Sequence, residues 1–164
     1  MAQAKLDEVS VSATFGRFEL TTKWVNDPRQ KDAAWALAVE LQTRVATQDI
    51  GLEYGTLREA LSSLHALFGV TREILRNNGP VVGLRRDSVG GIAITVLNKA
   101  LRPFLSKWHP ALSDWEHRRP AERSMVEHEN AWEKAVVCRA ELARIRQGLW
   151  EYSKALAKMA GADD

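Results

Sequence analysis

The most restrictive feature of this sequence is a stripe of residues in its last third. Ala135, Cys138, Leu142, Ile145, Leu149, Tyr152, Leu156 and Met159 are spaced three, four, three, four throughout, with Trp132 and Trp150 beside them. At 3.6 residues per turn this spacing draws one line down one side of a helix, whereas a strand would scatter it over both faces. A strict seven-residue repeat favours helix packing near about +20°, the bundle geometry, and equally permits an intermolecular coiled coil. The chain is therefore expected to be mainly α, its longest helix running from Pro120 to about Ala160.

Helix signals delimit three more. Asn26, Asp27 and Pro28 supply a capping oxygen and a proline at the first helical position, where no amide is needed. The helix that follows is expected to reach about Gln48, with Ala34, Ala38, Leu41 and Val45 inward and Trp35, Leu37 and Val39 widening the stripe. Thr56 opens the next, through Leu57, Leu61, Leu64, Phe68, Thr71 and Leu75, until Asn78, Gly79 and Pro80 stop it. Ser88 caps a third, through Ile94, Leu97, Leu101, Phe104 and Trp108, with Leu112 and Trp115 continuing its apolar face. Pro103 falls inside this pattern, so a kink is expected there and a second break near Pro110.

Residues 9–24 alternate instead. With Gly16 and Arg17 at the centre of a two-residue turn, Phe15 faces Phe18, Ala13 faces Leu20, Val11 faces Thr22 and Val9 faces Trp24, all on one side. A lone two-stranded ribbon is marginal in water, so something must cover that side, either this chain's helices or a second chain, the first being favoured because Trp24 leads straight into the helix start at Asp27 and Pro28. The expected architecture is one domain over residues 1–164: a β-hairpin (9–24), then a four-helix bundle (28–160) with a kinked third helix and a long C-terminal helix.

A chain of 164 residues, 45% hydrophobic and 27% charged, can bury a core without disulfides or metal. The lone Cys138 excludes an internal disulfide and, lying on the seam, should be a buried, unreactive thiol. No apolar run reaches the roughly 18 residues of a membrane span, and the first residues carry no apolar leader. A cytoplasmic protein without membrane contact is expected.

There is no Walker loop, dinucleotide fingerprint, paired-cysteine motif, HExxH or nucleophile elbow. No catalytic residue, metal site or cofactor is assigned. Glu116, His117, Glu127, His128 and Glu129 include sequence neighbours that point about 100° apart on a helix and cannot chelate together. His65 and His109 read as histidines at the edge of the core.

Charge is uneven along the chain. Residues 72–123 hold ten Lys and Arg against five Asp and Glu, while the whole chain is only +2. Within this segment Arg85, Arg86, Ser88, Gly90 and Gly91 form the candidate anion-binding site: two guanidinium forks ahead of a helix start whose amides are little shielded. Arg118, Arg119 and Arg123, with Lys107 and Arg102, make a second basic cluster, but without interleaved aromatic residues it reads as a solvated corner, and nucleic acid is not expected as a partner. Of six tryptophans, Trp35, Trp132 and Trp150 lie beside their helices' seams and are the candidate partner-binding residues.

The run Leu101, Arg102, Pro103, Phe104, Leu105, then Lys107, Trp108, His109, Pro110, then Trp115 and Glu116 resembles a segment of poorly characterised bacterial helical-bundle proteins, some linked to conflict or antiphage systems. The resemblance implies an accessory role in a bacterial system and carries over no catalytic residue. The expected function is a non-enzymatic interaction or regulatory module. Its partner would be another protein, or a second copy through the long helix or the hairpin. The alternative is a binding domain for a phosphate-bearing small molecule or nucleotide.

Overall fold

The computed structural model describes residues 8–44, 49, 51 and 55–162. Strands β1 (Glu8–Phe15) and β2 (Phe18–Val25) pair antiparallel in the register the alternation gives, Val9 opposite Trp24 through Phe15 opposite Phe18. Gly16 takes φ 65°, a conformation natural to glycine at the first central position of this turn. Val11, Ala13 and Phe15 of β1 are buried, and the protein's own helix α6 (Ala135–Met159) covers that strand; Trp24 of β2 is buried as well, beside Gln30. Gly148 makes that cover possible. A Cβ there would lie 2.4 Å from the Phe15 ring and 2.6 Å from the Thr14 carbonyl oxygen.

Helix α1 (Lys31–Thr43) follows a 3-10 turn over Pro28–Gln30 that Asp27 caps, and packs along α6 and α2 (Leu57–Asn78). It ends earlier than expected. Arg44 is already extended, and the rest of the expected helix, including Val45 and Gln48, lies outside the described residues. Gln30 joins three elements, because its side-chain oxygen accepts from Trp24 Nε1 (3.2 Å) and from Val89 N (2.9 Å) at the start of the third rod.

That rod is continuous: α3 (Val89–Thr95), a π-helical stretch over Val96–Leu101, and α4 (Arg102–Glu116). The expected disturbance at Pro103 takes the form of this π stretch, in which Arg102 N bonds to Leu97 O. An α-helical path would press the proline ring on the Lys99 carbonyl, and the wider turn relieves that crowding. No break occurs at Pro110; the helix runs through it, and Ser106, whose carbonyl loses its donor, is exposed to water.

The expected fourth helix is divided, and its long part starts at Ala135 rather than at Pro120. A short helix, α5 (Met125–Asn130), opens on a capping box in which Ser124 Oγ accepts from Glu127 N and Glu127 Oε2 accepts from Ser124 N. The chain then turns so that Trp132 can enter the core edge-on to Trp108, centroids 5.9 Å apart. Glu129 is buried, and its carboxylate accepts from Leu57 N (2.8 Å), Arg58 N (3.4 Å) and Arg139 Nη2 (2.9 Å), fastening α5 to the start of α2. Burial pushes its pKa up, against the pull of these donors.

All eight seam residues of α6 are buried. The stripe packs on β1 and α1 within one chain. Desolvation pushes the Cys138 thiol up to about 12. Among the described residues no helix is long and apolar enough to cross a membrane.

Candidate anion-binding groove

Helices α2 and α4 run antiparallel, and one arginine bridges them near one end. Arg58, in the first turn of α2, donates from Nε and Nη2 to both carboxylate oxygens of Glu116 (2.8 and 3.0 Å) in the last turn of α4. The same guanidinium reaches Ser113 Oγ (3.1 Å) and His109 Nδ1 (3.0 Å). An arginine N–H needs an acceptor, so the His109 ring is neutral with its proton on Nε2. Burial, then the nearby Arg58 charge and His65, hold its pKa below the ordinary histidine value.

Beyond this bridge the helices leave a groove of about 740 Å³. From α2 it is lined by His65, Phe68, Gly69 and Arg72, and from α4 by Arg102, Leu105, Ser106 and His109. His65 and His109 meet edge to face, centroids 5.6 Å apart. Arg102 lies over the Phe68 ring, its carbon 4.9 Å from the centroid, with Nε bonded to Asn98 Oδ1. Neither Arg72 nor Arg102 is in an ion pair among the described residues, and no carboxylate lines the groove. Its chemistry is therefore that of an anion receptor with an apolar floor. Arg72 and Arg102, neither in an ion pair among the described residues, are the side chains in it suited to phosphate or carboxylate, and Phe68, under the Arg102 guanidinium, and Leu105 form the apolar part of its wall.

The residues singled out from the sequence lie elsewhere. Ser88 caps its helix as expected, accepting from Gly91 N (3.1 Å). The two helix-start amides of Val89 and Gly91 thus bond within the chain, to Gln30 and Ser88. Gly90 and Gly91 are buried, and a Cβ on either would lie 2.2 Å from Gly83 O or 1.8 Å from Arg85 O. Their lack of side chains has a packing reason. Arg85 and Arg86 are exposed, Arg85 pairing with Asp87 (3.1 Å). Trp132, expected to face a partner, is a core residue instead. Trp35 is 52% exposed with Val39 one turn on at 40%, and Trp150 is also exposed. His117 is exposed, whereas His128 is buried and stacked on Trp115, centroids 4.4 Å apart.

The groove was missed because each helix supplies only half of it. A signal existed: His65, Gly69 and Arg72 recur at helical spacing, as do Arg102, Ser106 and His109, each a polar line beside an apolar seam. Nothing local shows that the two lines face each other. The segment 101–116 divides its residues between both tasks. Leu101, Phe104, Trp108 and Leu112 are buried, Arg102, Ser106, His109 and Pro110 line the groove, and Leu105 is buried at its wall. No protein family, characterised protein or solved structure matches the chain.

Proposed function

We propose that this protein is a non-enzymatic regulatory module that binds a phosphate-bearing small molecule, such as a nucleotide, between α2 and α4. The observation that carries the reading is the pair of guanidiniums outside any ion pair, Arg72 and Arg102, on a groove that no carboxylate lines among the described residues. Its volume falls in the range of small-molecule sites, and Arg is the side chain suited to bidentate phosphate recognition. An accessory role in a bacterial defence system belongs to the same proposal and rests on the resemblance of residues 101–116, which supply the α4 wall. The test is thermal unfolding with ATP, GTP and pyrophosphate. A ligand at about 100 times its Kd stabilises by about 2.7 kcal/mol, or roughly 5–10 °C in a domain of this size. The Arg72→Ala, Arg102→Ala double variant should keep its circular dichroism and lose the shift. An absent shift, or one the variant retains, rules the groove out.

One surface favours a protein partner as a second reading: Trp35 and Val39, adjacent and exposed on α1. Trp35→Ala should leave stability nearly unchanged and abolish copurification of such a partner; unchanged copurification removes this face.

A further inference from the structure

The groove is one flank of a larger cationic feature. Helix α4 and the π stretch before it form a ridge, and a second pocket of about 360 Å³ lies on the other side. The hairpin turn contributes Arg17 to that pocket, the π stretch Lys99, and α6 Arg144. All three side chains are exposed, and none is in an ion pair among the described residues. The pocket's carboxylate, Glu141, is held by Lys107 (2.6 Å) and Trp108 Nε1 (2.7 Å), and Arg17 lies close enough to act on its charge as well. On the ridge between the pockets stand Lys99, Arg102, Pro103, Ser106 and Lys107, all exposed. Positive charge thus continues from Arg72 through Arg102 and Lys99 to Arg17 and Arg144, drawn from α2, the third rod, the hairpin turn and α6.

We infer that this strip is a binding track for a single strand of nucleic acid, held by its phosphates across the α4 ridge. The inference shares only Arg72 and Arg102 with the small-molecule reading and otherwise goes beyond it. Three features favour a phosphate chain. Four of the five unpaired cations are arginines, whose forks match phosphate oxygens. Among the described residues the exposed large hydrophobic ones, Val25, Trp35, Val39, Leu84, Met125, Val136, Val137 and Trp150, lie off the strip, so it lacks the apolar anchors of a protein interface and would hold a strand by its phosphates without base stacking. The surface is also two hollows flanking a convex helix, which a flexible strand can follow and a flat membrane cannot. The track reverses the expectation drawn from the sequence, where the basic segment 72–123 already holds Arg72, Lys99 and Arg102 but Arg17 and Arg144 lie far outside it.

The experiment is fluorescence anisotropy of a labelled single-stranded oligonucleotide with the full chain, titrated with salt. Each phosphate contact on a single strand adds about 0.7 to the log–log salt slope, so five contacts give a slope of about −3.5 and roughly a hundredfold weakening from about 50 to 200 mM salt. The triple variant Arg17→Glu, Lys99→Glu, Arg144→Glu changes only exposed side chains and should keep the wild-type melting temperature. Its slope should fall to about −1.4, with affinity down at least a hundredfold. The single variant Arg144→Glu, expected to weaken binding less, guards against a folding defect in the triple. Wild-type binding by both variants, a slope near zero, or equal displacement by polyglutamate overturns the track. The triple variant should retain any thermal shift caused by ATP, whereas Arg72→Ala, Arg102→Ala should lose it. Strand binding without an ATP shift would sink the small-molecule reading and leave the track standing.

Discussion

The two sides of the bundle show opposite solutions to packing. Where β1 crosses α6, the contact is as close as a backbone permits: Gly148 has no side chain, Phe15 fills the space and Glu151 accepts from Thr14 N (2.8 Å). Where α2 faces α4, a long arginine crosses between them, and Gly69 opens onto a groove with nothing within 4 Å of its absent Cβ. Both sides contain a helical glycine, yet one glycine removes space and the other leaves it. The difference teaches that residue type does not fix role; the partner across the interface does.

The comparison is broken most severely at Trp24, which is 1% exposed on the inner face of the hairpin and bonded to Gln30. Trp24→Ala should cost about 3–5 kcal/mol, measured by equilibrium denaturation. A loss below about 1 kcal/mol would mean that the hairpin is not part of the cooperative unit.

The two glycines test it more directly. Gly148→Ala gains up to about 1 kcal/mol of helix propensity but drives a methyl into the Thr14 carbonyl and Phe15, so a net loss of about 1–2 kcal/mol is expected. Gly69→Ala meets no atom and should stabilise by about 0.5–1 kcal/mol. Shifts of the same sign in both would remove the contrast.

Arg58→Ala should cost about 1–2 kcal/mol by denaturation, because it leaves Glu116 and His109 without their donor in a partly hydrated site. Equal stability would show the bridge to be incidental to the α2–α4 spacing.

The smallest effect is that of pH. The folded state lowers the His109 pKa, so the unfolded chain binds the proton more readily. Stability is then complete above the unfolded value of about 6.5 and falls as the pH drops from there towards the lower folded value. His109→Gln should flatten this part of the stability profile, and an unchanged profile would assign the titration to another group.

Much of the fold was legible because its signals are short-range. The hairpin register follows from alternation and one glycine, the caps from Asp27, Thr56 and Ser88, and the α6 seam from a repeat. The capping box of Ser124 and Glu127 was equally legible but was hidden under the longer periodic pattern that follows it. The proline at 103 announced a disturbance without specifying a π turn, since the way a helix relieves such crowding depends on what its faces pack against.

By itself, then, the sequence determined the hairpin and its register, the helix caps and the buried seams of the main helices, though not the division of the last one, because those depend on residues within a turn or a strand pair of one another. The tertiary structure alone decided what lies opposite each face. It put the hairpin on α6 instead of on a second chain, took Trp132 into the core, and set Arg72 across from Arg102 to open a groove. It also gathered Arg17, Lys99 and Arg144 around one pocket from three separate parts of the chain. Such pairings rest on many weak contacts summed over the whole core, and periodicity along the chain carries no information about which summed arrangement is lowest in free energy.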